Sequence, residues 1–100
     1  RNGQLFTLDG KLNIRNSMYK TDFSLIDENG FSPISARYTK SYLHHLFKTE
    51  EMLGYRIATQ HNLRFYIYLM KIMQEEIQNG KFKSWSEDFL DRYSNNQVIN

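Results

Sequence analysis

From Met52 to Gln78 the chain carries one unbroken helical pattern, and this stretch limits what the rest can fold into. Ile57, His61, Phe65, Leu69, Ile72 and Met73 recur at three- and four-residue spacing, which lines them up on one face of an α-helix. Leu63, Tyr66, Met70 and Ile77 widen that face, so the helix is expected to be buried over much of its girth. Asn79-Gly80 supplies a C-cap. Upstream, Ser32-Pro33 reads as an N-cap and first turn, and Tyr38, Tyr42, Leu43, Leu46 and Phe47 repeat on one apolar face. A break at Thr49-Glu50 restarts the helix with Thr49 as its cap. Downstream, Ser84-Trp85-Ser86-Glu87 fits a capping box, and Trp85, Phe89, Leu90 and Tyr93 line a last short helix ahead of a frayed NNQVIN tail.

The N-terminal part follows a different period. QLFTL and KLNIR flank Asp9-Gly10, a dipeptide suited to a two-residue hairpin turn because both positions tolerate positive φ. Strands are expected near 4–8 and 11–15, and a lone hairpin is marginal in water, so it must pack on something. Residues 16–31 show no sustained period and read as irregular loop anchored by Tyr19, Phe23 and Ile26. The expected fold is α+β, mainly α. A hairpin over 4–15 and a loop lead into three or four helices over about 33–93, all within a single domain of 1–100.

Composition removes several classes of function. With no cysteine, disulfides, thiolate catalysis and Cys-ligated zinc are excluded. FYIYLM at 65–70 is too short an apolar run to span a bilayer, and RNGQLFTLDG has no signal-peptide character, so a soluble cytoplasmic setting is expected. Lacking an initiator Met, the sequence reads as an excerpt of a longer chain or a processed piece. Net charge is only +2, but Arg1–Lys48 holds seven basic against four acidic residues, whereas 49–100 holds six against seven. The first half is the side that could face a polyanion.

No residue set makes an autonomous active site. Asp22, Asp27 and Glu28 are loop carboxylates with nothing fixing them near a nucleophile, and Glu50-Glu51 and Glu75-Glu76 are helical neighbours that diverge. His44 and His45 are likewise adjacent, so one packs inward and the other faces out instead of both meeting one ion. His61, on the apolar stripe, reads as a hydrogen-bonded core histidine. There is no Gly-rich phosphate loop, GxSxG or HExxH.

Two strings carry a resemblance. RNGQLFTLDGKLNIRN and ARYTKSYLHHLFKTEEMLGYRIATQHNLRFYIYLM resemble the C-terminal part of the tRNA-guanine transglycosylases, the queuine tRNA-ribosyltransferases, from Arg1 to about Tyr93. The resemblance implies a TIM-barrel enzyme family with a zinc-binding insertion, exchanging a wobble-position guanine of tRNA for a deazaguanine through a covalent aspartyl intermediate. Its catalytic aspartates fall upstream of Arg1, so this chain is expected to be inactive alone, and Asp9 of the hairpin turn does not replace them. Arg1 matches an arginine that holds the anticodon loop and is the expected tRNA contact. The zinc pattern C-x-C-x-x-C followed by a distant His falls here on Gly30, Ser32, Ser35 and His61, so only the histidine remains of a degenerate site over 28–35. No zinc and no other cofactor is expected. The implied role is to buttress a barrel, complete a dimer and touch tRNA. The competing reading is a zinc-free helical protein-interaction module without RNA-modifying activity.

Overall fold

A computed structural model describes residues 3–8, 10–27 and 32–95. Gln4–Thr7 (β1) and Gly10–Asn13 (β2) pair as an antiparallel hairpin, a 3-10 turn occupies Ser17–Tyr19, and three α-helices follow: Lys40–Lys48 (α1), Met52–Gln78 (α2) and Phe82–Asn95 (α3). The α+β, mainly α expectation therefore holds. Leu5 sits opposite Leu12 in the hairpin, and both side chains turn to the core, as the period of two requires. The register differs by one residue from a turn centred on Asp9-Gly10: Gly10, at φ 140°, is the first residue of β2 and pairs with Thr7, whose hydroxyl donates to its carbonyl at 2.6 Å. Asp9 and Glu28 lie outside the described residues, as do Arg1, Gly30 and residues 96–100 of the tail.

The core gathers one layer from each segment: Leu5, Leu12 and Ile14 from the hairpin, Tyr19 and Ile26 from the loop, Leu43, Leu46 and Phe47 from α1, Ile57 and Ala58 from α2. Gly54 lets α1 and α2 approach closely, since a Cβ there would lie 2.9 Å from that of Leu46. His44 is the inward histidine of its pair, its Nδ1 donating to the Ile14 carbonyl at 2.7 Å, while His45 faces out.

The first long helix begins later than Ser32-Pro33 suggests. Residues 32–37 close turns through Ala36 N to Ser32 O and Arg37 N to Ile34 O, and the segment is pinned to the loop by Asp27 N to Ser35 O and Ile26 N to Tyr38 O. These cross-links compete with helical bonding, so α1 starts only after Thr39, whose Oγ1 accepts the Tyr42 amide at 3.1 Å. Ser32 caps nothing. Thr49 closes α1 instead of opening α2, its amide and hydroxyl both turned back to the His45 carbonyl, and Glu51 stands at the start of α2 with no side-chain cap. Ser84 falls inside α3, where its hydroxyl donates back to Lys81, so the proposed capping box is absent.

Two burial expectations fail. Phe23 is 71% exposed, because its neighbours are held from both sides: Ser41 N bonds Asp22 O, Lys40 N bonds Ser24 O, and the Asp22 carboxylate accepts the Ser24 amide at 3.0 Å and its hydroxyl at 2.5 Å. The long helix buries only Gly54, Ile57, Ala58, His61 and Phe65, and Leu63, Tyr66, Met70 and Ile77 stand in the open. Full burial is confined to the first half of α2, and beyond Phe65 the stripe residues Leu69, Ile72 and Met73 are half-buried.

The Asp22 turn carries a pH signature. The Ser24 hydroxyl bond holds the Asp22 carboxyl below the usual carboxylate range, helped by the Ser24 amide and the Lys40 charge, against the opposing push of burial. A depressed folded-state pKa stabilises fully above the unfolded value of about 3.9, and that contribution is lost as pH falls through the folded value. Asp22→Asn is therefore expected to flatten the acid limb of the stability profile below about pH 4, read from urea midpoints at stepped pH. An unchanged limb would remove Asp22 from the acid response.

Candidate functional site

The most constrained polar residue of the fold is His61, fully buried at the middle of the apolar stripe. Its Nε2 faces the Phe6 carbonyl at 2.7 Å. A carbonyl oxygen only accepts, so Nε2 carries the proton. Nδ1 is then the acceptor for the Ser35 hydroxyl at 2.5 Å. Burial pushes the imidazole pKa down, only partly offset by the Phe6 carbonyl and by the charge of Asp27, in keeping with a neutral ring.

Asn62, the next residue, extends the contact. Its Oδ1 accepts the Phe6 amide at 3.0 Å and its Nδ2 donates to the Gln4 carbonyl at 2.9 Å. Together His61 and Asn62 act toward β1 as a neighbouring strand would, satisfying Gln4 O, Phe6 N and Phe6 O on the edge that β2 leaves open. This is the support that a lone hairpin needs. The pairing with β1 is what sequence reasoning missed: His61 reads as a core histidine, but a strand edge as its target leaves no mark in helical periodicity.

The hydroxyl–imidazole pair is not a catalytic dyad. Ser35 and His61 are both fully buried, and the second ring nitrogen is spent on a main-chain carbonyl, so no substrate reaches the hydroxyl and no proton leaves through the ring. Ser32 is also buried, and its hydroxyl has no hydrogen-bond partner. Asp27 is buried beside this loop, while Asp22 is committed to the Ser24 turn. Among the described residues no three His, Asp or Glu side chains come together as a metal-binding group.

A protein-family model described as queuine tRNA-ribosyltransferase matches residues 1–95. The chain belongs to the queuine tRNA-ribosyltransferase family. It is 48% identical over 93 residues to the queuine tRNA-ribosyltransferase of Francisella tularensis subsp. mediasiatica, covering 93% of this chain and 25% of that protein. The protein of the same name from Francisella tularensis subsp. novicida is 47% identical over 93 residues, with the same coverage. This chain thus spans about a quarter of the length of the curated relatives it matches.

Within the queuine tRNA-ribosyltransferase frame, three of the four positions that the sequence resemblance assigns to zinc fall on described residues. Two are serines with neutral hydroxyls, and the third is a histidine with both ring nitrogens already hydrogen-bonded. This donor set does not suit zinc, which takes thiolates and free imidazole nitrogens. Gly30, the fourth position, has no side chain to offer.

A second concave feature lies along α1. Ser17, Lys20, Phe23, Tyr42, His45 and Lys48 line a cleft of about 700 Å³, with two exposed rings beside two lysines and no carboxylate in its wall. Two other basic residues of the first half are committed elsewhere: Arg15 stacks 5.3 Å from the Phe47 ring centre, and Lys40 bonds the Ser24 hydroxyl. No helix among the described residues is long and apolar enough to cross a membrane.

Proposed function

We propose that this chain is the C-terminal subdomain of a queuine tRNA-ribosyltransferase-like protein, supporting tRNA binding and dimerisation beside a catalytic barrel in the cytoplasm. The parent reaction is exchange of guanine for a deazaguanine base at the tRNA wobble position, and residues 1–100 act as one domain within it. The observation that carries this reading is coverage: nearly the whole chain matches, but it accounts for only a quarter of each relative. The outer face of α2 supports it. Leu63, Tyr66, Ile67, Met70 and Ile77 are each 41–59% exposed or, for Tyr66, 60%, and they follow helical spacing along one helix. A contiguous apolar face of this kind suits a packing partner better than water.

A chimaera tests the proposal. The quarter of the Francisella novicida protein that this chain matches is exchanged for this chain, and guanine exchange into tRNA is measured. The expected result is measurable exchange by the chimaera, none by the 100-residue chain alone, and loss of the chimaera's soluble expression on Ile67→Asp with Met70→Asp. Arg1→Ala in the chimaera is expected to weaken binding to a U-G-U anticodon stem-loop and to reduce its salt dependence, one good contact being worth about 1–3 kcal/mol. A folded chimaera with neither exchange nor tRNA affinity, together with self-association of the isolated chain, would favour the interaction-module reading.

A further inference from the structure

The loop 32–38, strand β1 and helix α2 meet at one imidazole, and this is where the family reading places a metal ligand. We propose that in this chain a metal-free hydrogen-bond clamp does the tethering: the Ser35 hydroxyl closes His61 Nδ1, and His61 Nε2 holds the Phe6 carbonyl. The inference rests on the family assignment of the loop positions, but not on tRNA binding or on the barrel.

A structural zinc ties such a loop down by binding several deprotonated or lone-pair donors at once. Here the tie is made in pieces. Ser35 reaches the ring at 2.5 Å, the ring reaches β1 at 2.7 Å, and main-chain bonds from Asp27 N to Ser35 O (3.3 Å) and Ile26 N to Tyr38 O (3.0 Å) fix the loop to the segment before it. For His61 to bind a metal through Nδ1, the Ser35 bond must break. For it to bind through Nε2, the partly buried Phe6 carbonyl must give up that partner. Ser35 and Ser32, although both sit at former cysteine positions, have come to differ. Ser35 has gained a partner, and Ser32 keeps a buried hydroxyl with none. The clamp therefore predicts opposite responses at two serines that the sequence pattern treats alike.

The test uses the full 100-residue chain, purified with zinc present and then dialysed against a chelator. Metal content is counted by mass spectrometry, thermal unfolding is followed with and without added zinc, and the His61 ring nitrogens are read by 15N NMR. Expected are far less than one zinc per chain and a melting temperature that neither zinc nor chelator moves. The ring should show a protonated Nε2 and an unprotonated, hydrogen-bonded Nδ1. Ser35→Ala should lower the melting temperature on the order of 5 °C and shift the Nδ1 signal, whereas Ser32→Ala should leave the melt unchanged or raise it. The Gly30→Cys/Ser32→Cys/Ser35→Cys variant should take up one zinc. One tightly held zinc on the unaltered chain would overturn the proposal, and so would a melting temperature raised by zinc. A Ser35→Ala variant with the parent's melt and ring signal would do the same, as would a folded triple-cysteine variant that takes no zinc. The metal count and ring spectrum need no variant, so they decide the matter even if Ser35→Ala does not fold.

Discussion

Phe47→Ala is expected to destabilise the chain by about 3–5 kcal/mol, the range for removing a buried aromatic ring. Phe47 is 1% exposed and packs edge-on against Tyr55, with ring centres 5.0 Å apart at 81°, so it joins α1 to α2. Its outer side is covered by the Arg15 guanidinium, whose Nη1 also donates to the Phe47 carbonyl at 3.5 Å. Alanine would lose the ring contacts with Tyr55 and the Arg15 guanidinium, though not the bond to the main-chain carbonyl, and leave a cavity between helices that Gly54 lets approach closely. A domain of this size has only about 5–15 kcal/mol of stability to lose. The variant should consequently show a large drop in urea midpoint, or be partly unfolded without denaturant. A loss under about 1 kcal/mol would mean that the α1–α2 seam relaxes around the deletion.

A second large effect is expected at His61. His61→Ala removes a buried ring and leaves two groups without partners, the Ser35 hydroxyl and the Phe6 carbonyl. At about 1–3 kcal/mol for each unpaired buried group, plus lost packing, the loss should reach about 3–5 kcal/mol. Ser35→Ala alone should cost about 1–3 kcal/mol, because only Nδ1 is stranded. The Ser35→Ala/His61→Ala double variant should then be more stable than the sum of the singles predicts, by about 1 kcal/mol or more, because the second change removes a group already without a partner. Strict additivity in urea titrations would show that the two side chains do not act on one another.

How far the sequence could be read depended on whether the governing interaction was local. The long pattern of α2, its Asn79-Gly80 stop with Gly80 at φ 70°, and the presence of a hairpin were legible because periodicity and turn composition are properties of neighbouring residues. The hairpin register was not, since Gly10 pairs with Thr7 in the ladder instead of lying in the turn. The inward and outward histidines at 44 and 45 followed from the same helical geometry. Ser32-Pro33 misled because a good local helix start was overridden by four main-chain bonds that include partners at 26 and 27. Phe23 misled because burial depends on which way a pinned turn faces, and hydrophobicity carries no such direction. The outer face of α2 looks like core in the sequence for a related reason: periodicity reveals that a face is apolar without revealing what lies against it. At the candidate site, the pattern singled out His61 as a hydrogen-bonded core residue, but it contained nothing on the Ser35–His61 bond or the hold of Asn62 on β1.

The ring ladder of α3 makes this chain its own optical gauge. Phe82, Trp85, Phe89 and Tyr93 follow one another along the helix at centre separations of 6.0, 5.3 and 4.9 Å. Trp85 is the sole tryptophan, so emission excited at the red edge of the absorption band comes from the middle of that ladder and from nowhere else. None of the ladder rings is fully buried, while the hairpin, α1 and the front of α2 hold the core, so α3 belongs among the segments that open first. In a urea titration the fluorescence change should precede the loss of circular dichroism, which is dominated by α2. The lag between the two curves would report directly how tightly the last helix is held, and would shorten when a partner closes over it.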